Sequence, residues 1–131
     1  MFQSNDNESV EKVKNILNTN FNINLEKTTN KFDLFDIIDN NNKYIVEVKE
    51  RSNNYSKYPT TMIGHNKYIE GLKYLKKGYN VLFVFCFVDG IYYYKLENDI
   101  FKPELGGRVD RGFREIKNYI YIKISELIKL E

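Results

Sequence analysis

Phe35-Asp36-Ile37-Ile38-Asp39-Asn40-Asn41-Asn42-Lys43-Tyr44-Ile45-Val46-Glu47-Val48-Lys49 is the stretch whose reading decides the fold. Two β-prone runs flank a cluster of turn formers, which predicts a β-hairpin. Side chains of a strand alternate between faces. Ile45, Glu47 and Lys49 therefore share one face, while Val46 and Val48 share the other and can enter a core. If Ile38 lies opposite Lys43, Asp36 lies opposite Ile45 and falls on the face of Glu47, a diagonal neighbour within reach. Asp33 then takes the opposite face. A slip of one residue would exchange the two acids, and Asp36 is favoured over Asp33.

On the amino-terminal side, Val10, Val13, Ile16 and Leu17 recur at helical spacing between about Glu8 and Asn18, with Asn7 placed to cap the start. On the carboxy-terminal side, Ser52 to Pro59 is polar and reads as a loop. A second helix is expected over about Thr61 to Lys76, with Met62, Ile63, Tyr68, Ile69, Leu72 and Leu75 as its apolar stripe and Gly78 ending it. Val81 to Val88 is apolar on both faces, as a central buried strand requires. Asp89-Gly90 signals a tight turn into a partner strand, Ile91 to Leu96. A loop bearing Gly and Arg, Gly106 to Gly112, precedes a last strand at Tyr119 to Ile124, after which Ser125 is placed to cap a short terminal helix. The order is α-β-β-α-β-β, an α/β (α+β) domain with a mixed β-sheet flanked by helices, spanning residues 1–131 as a single unit.

The chain has 131 residues and a formal net charge of +2, so a uniformly cationic surface is excluded and any nucleic-acid contact must come from local clusters. Eleven Tyr and nine Phe supply core, and also rings that can stack on bases. One cysteine, Cys86, lies within the Val81 to Val88 run and reads as a small buried hydrophobe; no internal disulfide can form, which fits a reducing compartment. That run falls far short of the ~20 residues that span a bilayer. The first residues carry no cationic start or apolar stretch, so no secretory signal is expected and the chain is placed in the cytoplasm.

Two carboxylates brought together repel unless a cation or a proton lies between them. Hard oxygen ligands that leave room for water and phosphate suit Mg²⁺ or Mn²⁺. Such an ion polarises a phosphoryl oxygen and lowers the pKa of bound water. The Lys49 ammonium, two residues from Glu47, can orient that water or offset charge on phosphorus. A Glu-x-Lys pair alone is more often a solvated ion pair, and Asp36 at matching parity is what lifts it above that reading.

Phe35-Asp36-Ile37-Ile38-Asp39, a short turn, then Tyr44-Ile45-Val46-Glu47-Val48-Lys49 resembles the hairpin signature of PD-(D/E)XK, restriction-endonuclease-like nucleases. The resemblance implies Asp36, Glu47 and the backbone carbonyl of Val48 as metal ligands, and Lys49 as the catalytic lysine. Phe35 stands where the family's name has Pro. The resemblance further implies a site residue from the following helix, for which Lys67 is the counterpart, and in some members an acid from the first helix, for which Glu8 and Glu11 are candidates. Leu105 to Gly112 is similar to a loop of small phage-type members, and an AT-rich codon signature (heavy Asn, Lys, Ile and Tyr, no Ala) fits a phage source. The activity implied is Mg²⁺-dependent endonucleolytic hydrolysis of DNA, with structure-specific or resolvase-like cleavage as one form of it; cutting both strands would favour a symmetric homodimer.

Arg51, Tyr58, Arg108 and Arg111 are the candidates for nucleic-acid contact, since Arg pairs clamp phosphates and exposed rings stack on bases. His65, the only histidine, cannot build a zinc site without cysteine or histidine partners. Two other functions fit the same residues: a catalytically inactive nucleic-acid binder, and a protein-interaction domain presenting Tyr92-Tyr93-Tyr94.

Overall fold

Val81, Leu82, Phe83, Val84 and Phe85 are each at most 1 % exposed, so the apolar run forms a strand covered on both faces. The computed structural model describes residues 2–29, 34–97, 104–105 and 118–131. In chain order the elements are α1 (Phe2–Phe21), β1 (Glu26–Lys27), β2 (Ile37–Asp39), β3 (Tyr44–Glu50), β4 (Thr60–Gly64), α2 (His65–Lys76), β5 (Asn80–Phe87), β6 (Gly90–Lys95), β7 (Glu104–Leu105), β8 (Asn118–Lys123), a 3-10 turn (Ile124–Glu126) and β9 (Ile128–Lys129). Six strands form a sheet in the order β1-β2-β3-β5-β6-β9, and β4-β8-β7 form a smaller one. The β3–β5 pair is parallel and every other pair is antiparallel, so the sheet is mixed as the sequence predicts.

Each face of the large sheet has its own core. Val10, Val13 and Leu17 of α1 pack with Ile37, Val46, Leu82 and Val84. On the other face, Ile45, Phe83 and Phe85 pack with Tyr68 of α2 and with Ile63, Ile120 and Ile122 of the small sheet. Even-numbered residues of β3 thus face α1, and odd-numbered residues face α2. Gly78, at φ +90°, reverses the chain after α2, a conformation that favours glycine. Among the described residues no helix is long and apolar enough to cross a membrane.

The hairpin register differs from the expected one by two residues. Ile38 lies opposite Ile45 and Asp39 opposite Tyr44. Lys43, expected in the strand, occupies the turn at φ +59°. The Asp39 carboxylate causes this: it accepts the backbone N–H groups of Asn41 and Asn42, both at 3.0 Å, and Asn42 Nδ2 at 2.8 Å, winding the chain into a longer turn. A slip of two residues preserves which face each side chain takes. Asp36 therefore stays on the face of Glu47, and moves closer to it.

Three other expectations are corrected. The second helix starts at His65; Thr60–Gly64 is strand β4. Thr61 and Ile63 are buried and Met62 is exposed, a two-residue period that β-branched residues favour and that pairing with β8 satisfies. The segment after Ser125 is no helix. A 3-10 turn leads into β9, which pairs with β6. Ile91 makes further main-chain bonds at this edge, donating its N–H to the Glu131 carbonyl and accepting the Leu130 N–H at its carbonyl, both 2.7 Å. Finally, α1 runs from Phe2 to Phe21, longer than the periodic stretch alone indicates.

Candidate active site

β2 and β3 part company just beyond Ile37, and the site forms where they separate. Asp36 N–H still donates to the Val46 carbonyl at 3.0 Å. Its side chain then takes the place of the departing ladder: Asp36 Oδ2 accepts the Val48 N–H at 2.8 Å. This fixes a carboxylate against the strand that carries Glu47 and Lys49. Thr28 N–H donates to the Asp36 carbonyl at 3.0 Å, tying the same residue to β1.

Glu47 lies on the α2 face of β3 and is only 3 % exposed. Its Oε2 receives two ammonium groups, Lys67 Nζ at 3.1 Å and Lys49 Nζ at 3.4 Å. Lys67 comes from the first turn of α2, and its Nζ also donates to the Leu34 carbonyl, so the amine is held between α2 and the hairpin. Oε1 of Glu47 is buried, and no hydrogen bond reaches it from the described residues. Burial pushes the Glu47 carboxyl up to about 7, the neighbouring Asp36 adds to the rise, and Lys67 and Lys49 oppose it.

These groups open onto one cleft of about 470 Å³, lined by Asp36, Glu47, Val48, Lys49 and Lys67 together with Ser9, Val10, Glu50 and Arg51. Six positions singled out from sequence therefore meet around one space: the hairpin's acids, the Val48 backbone, both lysines and Arg51. Three residues of the cleft, Ser9, Val10 and Glu50, were not foreseen as part of a site. Glu50, on the α1 face of β3, is hydrogen-bonded by the Ser9 hydroxyl. The signal available in the sequence was its position directly after Lys49 at the end of the strand. From α1 it is Ser9 and Val10 that line the cleft. Glu11 is engaged elsewhere, 3.5 Å from Lys14 and 3.7 Å from Lys27, and Glu8 is exposed.

Arg51 sits on the rim. Its guanidinium donates to Thr61 Oγ1 at 3.2 Å, the Met62 carbonyl at 2.6 Å and the Glu50 carbonyl at 3.2 Å, so it ties β4 to the end of β3. Tyr58 is exposed and lines an adjoining cleft of about 710 Å³. Arg108, Arg111 and Asp33 lie outside the described residues. His65 opens α2 with its ring 6.2 Å from that of Tyr68.

The donor set suits a hard divalent cation. Three carboxylates line the cleft, Asp36, Glu47 and Glu50, and Glu47 carries a buried oxygen with no hydrogen bond. Among the described residues no group of three or more His, Cys, Asp and Glu is arranged to hold a metal. A site of one or two carboxylates completed by water and phosphate is the Mg²⁺ habit, whereas zinc would demand a fuller set of protein ligands.

A family model described as "Phage putative PDDEXK endonuclease" matches residues 2–130. No curated protein and no solved structure matches the chain.

Proposed function

We propose, from the premise that this chain belongs to the phage PDDEXK endonuclease family, that it hydrolyses DNA phosphodiester bonds with Mg²⁺ or Mn²⁺ held by Asp36, Glu47 and the Val48 carbonyl. The observation that carries this reading is Glu47: a buried carboxylate with one oxygen paired to two lysines and the other unbonded, beside a second acid. Burying charge without full compensation costs several kcal/mol. A cation that binds both acids removes that cost.

The ion, when bound, would supply Lewis-acid polarisation of the phosphate and an acidified water. The chain's own residues set the stage for it. Asp36 is fixed by the Val48 N–H, so its carboxylate needs little reorganisation on binding. Lys67, anchored on the Leu34 carbonyl, holds Glu47 from the α2 side. Lys49 is the more accessible of the two lysines, with its side chain 36 % exposed against 19 % for Lys67. Lys49 is therefore the amine that meets substrate, orienting the attacking water and offsetting negative charge that builds on the phosphoryl oxygens. One such centre cuts one strand, and cutting both calls for a second copy of the chain.

The test is cleavage of supercoiled plasmid in Mg²⁺, in EDTA, and by Glu47→Ala and Lys49→Ala. Nicking by the wild type in Mg²⁺, lost in EDTA and in both folded variants, is expected. Full cleavage by both variants would refute the assignment of this site.

A further inference from the structure

The small sheet presents an unusual outer face. Thr61, Ile63, Ile120 and Ile122 point into the core. Alternation then puts Met62 and Gly64 outward on β4, opposite Tyr121 and Tyr119 on β8. The outer face of an antiparallel sheet is ordinarily polar. Here it carries a thioether and two tyrosines, and Tyr58 stands beside them; Met62 is 38 % exposed and Tyr58 52 %. The Gly64 position opposite Tyr119 carries no side chain over that ring.

This face floors the cleft of about 710 Å³, and the cleft is continuous with the candidate active site because Lys49 and Arg51 line both. Its charge is one-sided: among the described residues that line it, two are cations and none is a carboxylate. Lys57 adds a third positive group, its Nζ 5.6 Å from the centre of the Tyr58 ring. Flat rings and a polarisable sulfur next to cations are what a nucleotide requires, rings for the base and ammonium groups for the phosphate. A base inside a duplex is already stacked and cannot also lie on a tyrosine.

Resting on the nuclease reading above, we infer that the Tyr58, Met62, Tyr119 and Tyr121 face is a stacking platform for an unpaired base of the DNA strand whose phosphate enters the Asp36–Glu47–Lys49 cleft. The substrate class is DNA with an unpaired arm next to the cut, as at a fork or flap.

Binding of fluorescently labelled DNA by the full chain in EDTA tests this without cleavage. The wild type binds a forked DNA at least about 10-fold more tightly than a blunt duplex of equal length. Tyr121→Ala and Tyr58→Ala each weaken fork binding about 5- to 100-fold, the range for loss of one base–aromatic stack, and bring the fork-to-duplex ratio toward one. Tyr121→Phe, which keeps the ring, keeps the preference. A 2-aminopurine placed in the unpaired arm is quenched by the wild type and by Tyr121→Phe, and left bright by Tyr121→Ala. Equal affinity of the wild type for fork and duplex overturns the inference. So does a preference that survives both alanine variants, or self-association of the chain that Tyr121→Ala abolishes. Plasmid cleavage in Mg²⁺ scores the nuclease reading separately: cleavage without fork preference sinks the platform alone, and fork preference without cleavage in Mg²⁺ or Mn²⁺ sinks catalysis alone.

Discussion

The β2–β3 hairpin buries a carboxylate at each end, and the two are treated in opposite ways. Asp39, 4 % exposed, accepts four hydrogen bonds, from Asn24 N–H at 2.7 Å and from the Asn41 and Asn42 groups of the turn. Burial alone would raise its pKa, but the bonds from Asn42, Asn24 and Asn41 outweigh it and hold the carboxyl below its ordinary value. Glu47, 3 % exposed, keeps one oxygen without a hydrogen bond, and burial with Asp36 nearby raises it to about 7. Equal burial thus does not decide the role of an acid. What decides it is whether the protein itself completes the group's bonding. Asp39 is completed and shapes the turn. Glu47 keeps an oxygen that the described residues do not complete.

The largest effect expected from this contrast is on catalysis. Glu47→Ala should reduce plasmid nicking by at least about 10³-fold, the equivalent of several kcal/mol of lost charge stabilisation. Asp39→Ala should leave nicking per folded molecule within a few-fold of wild type. If both variants lose activity equally while folded, the distinction between the two ends is wrong.

Stability should show the reverse ranking. Asp39→Ala strands several turn N–H groups and should destabilise the fold by about 2–4 kcal/mol in urea unfolding. Glu47→Gln should do the opposite in metal-free buffer, stabilising by about 1–3 kcal/mol at pH 8, because the ionised carboxylate is what the folded state disfavours. The pH dependence carries the same signature. Glu47 holds its proton in the folded state up to about 7, while in the unfolded state it loses it near its ordinary value of 4.5. Between those values the folded state binds more protons, so metal-free stability falls as pH rises. The stability difference between wild type and Glu47→Gln should therefore open between pH 4.5 and 7 and stay level above it. Asp39 has the opposite sign: its contribution is present above its unfolded value and is lost as pH falls through the lowered folded one. The smallest effect is Asn42→Ala, which removes one charge-assisted bond to Asp39 and should cost about 1 kcal/mol with no change in nicking.

Face parity was legible in the sequence because it depends only on alternation. Ile45, Glu47 and Lys49 fall on one side whatever the partner strand does, and Asp36 joins them because the register shift was even. The shift itself depended on Asp39 hydrogen-bonding three groups of the turn, a local competition that residue propensities do not rank. β5 was legible from its unbroken apolar run. β4 was not, since Met62, Ile63, Tyr68 and Leu72 also satisfy a helical stripe; its strand identity comes from pairing with β8, more than fifty residues on in the sequence. β9 is two residues long and exists only as an edge on β6, so no local pattern announces it. Lys67 reaches Glu47 because helix α2 begins just before it and projects its first turn at the strand that carries Glu47. Glu50 escaped notice because alternation assigns it to the α1 face, and only the end of the strand lets it reach the same cleft.

Crystals soaked in Mn²⁺ and measured at its absorption edge test the central claim most directly. An anomalous peak in contact with Glu47 Oε1 and a carboxylate oxygen of Asp36, absent in Glu47→Gln crystals, is the expected result. No peak at that position from a protein that cleaves DNA in Mn²⁺, or a peak bound by other residues, would contradict it.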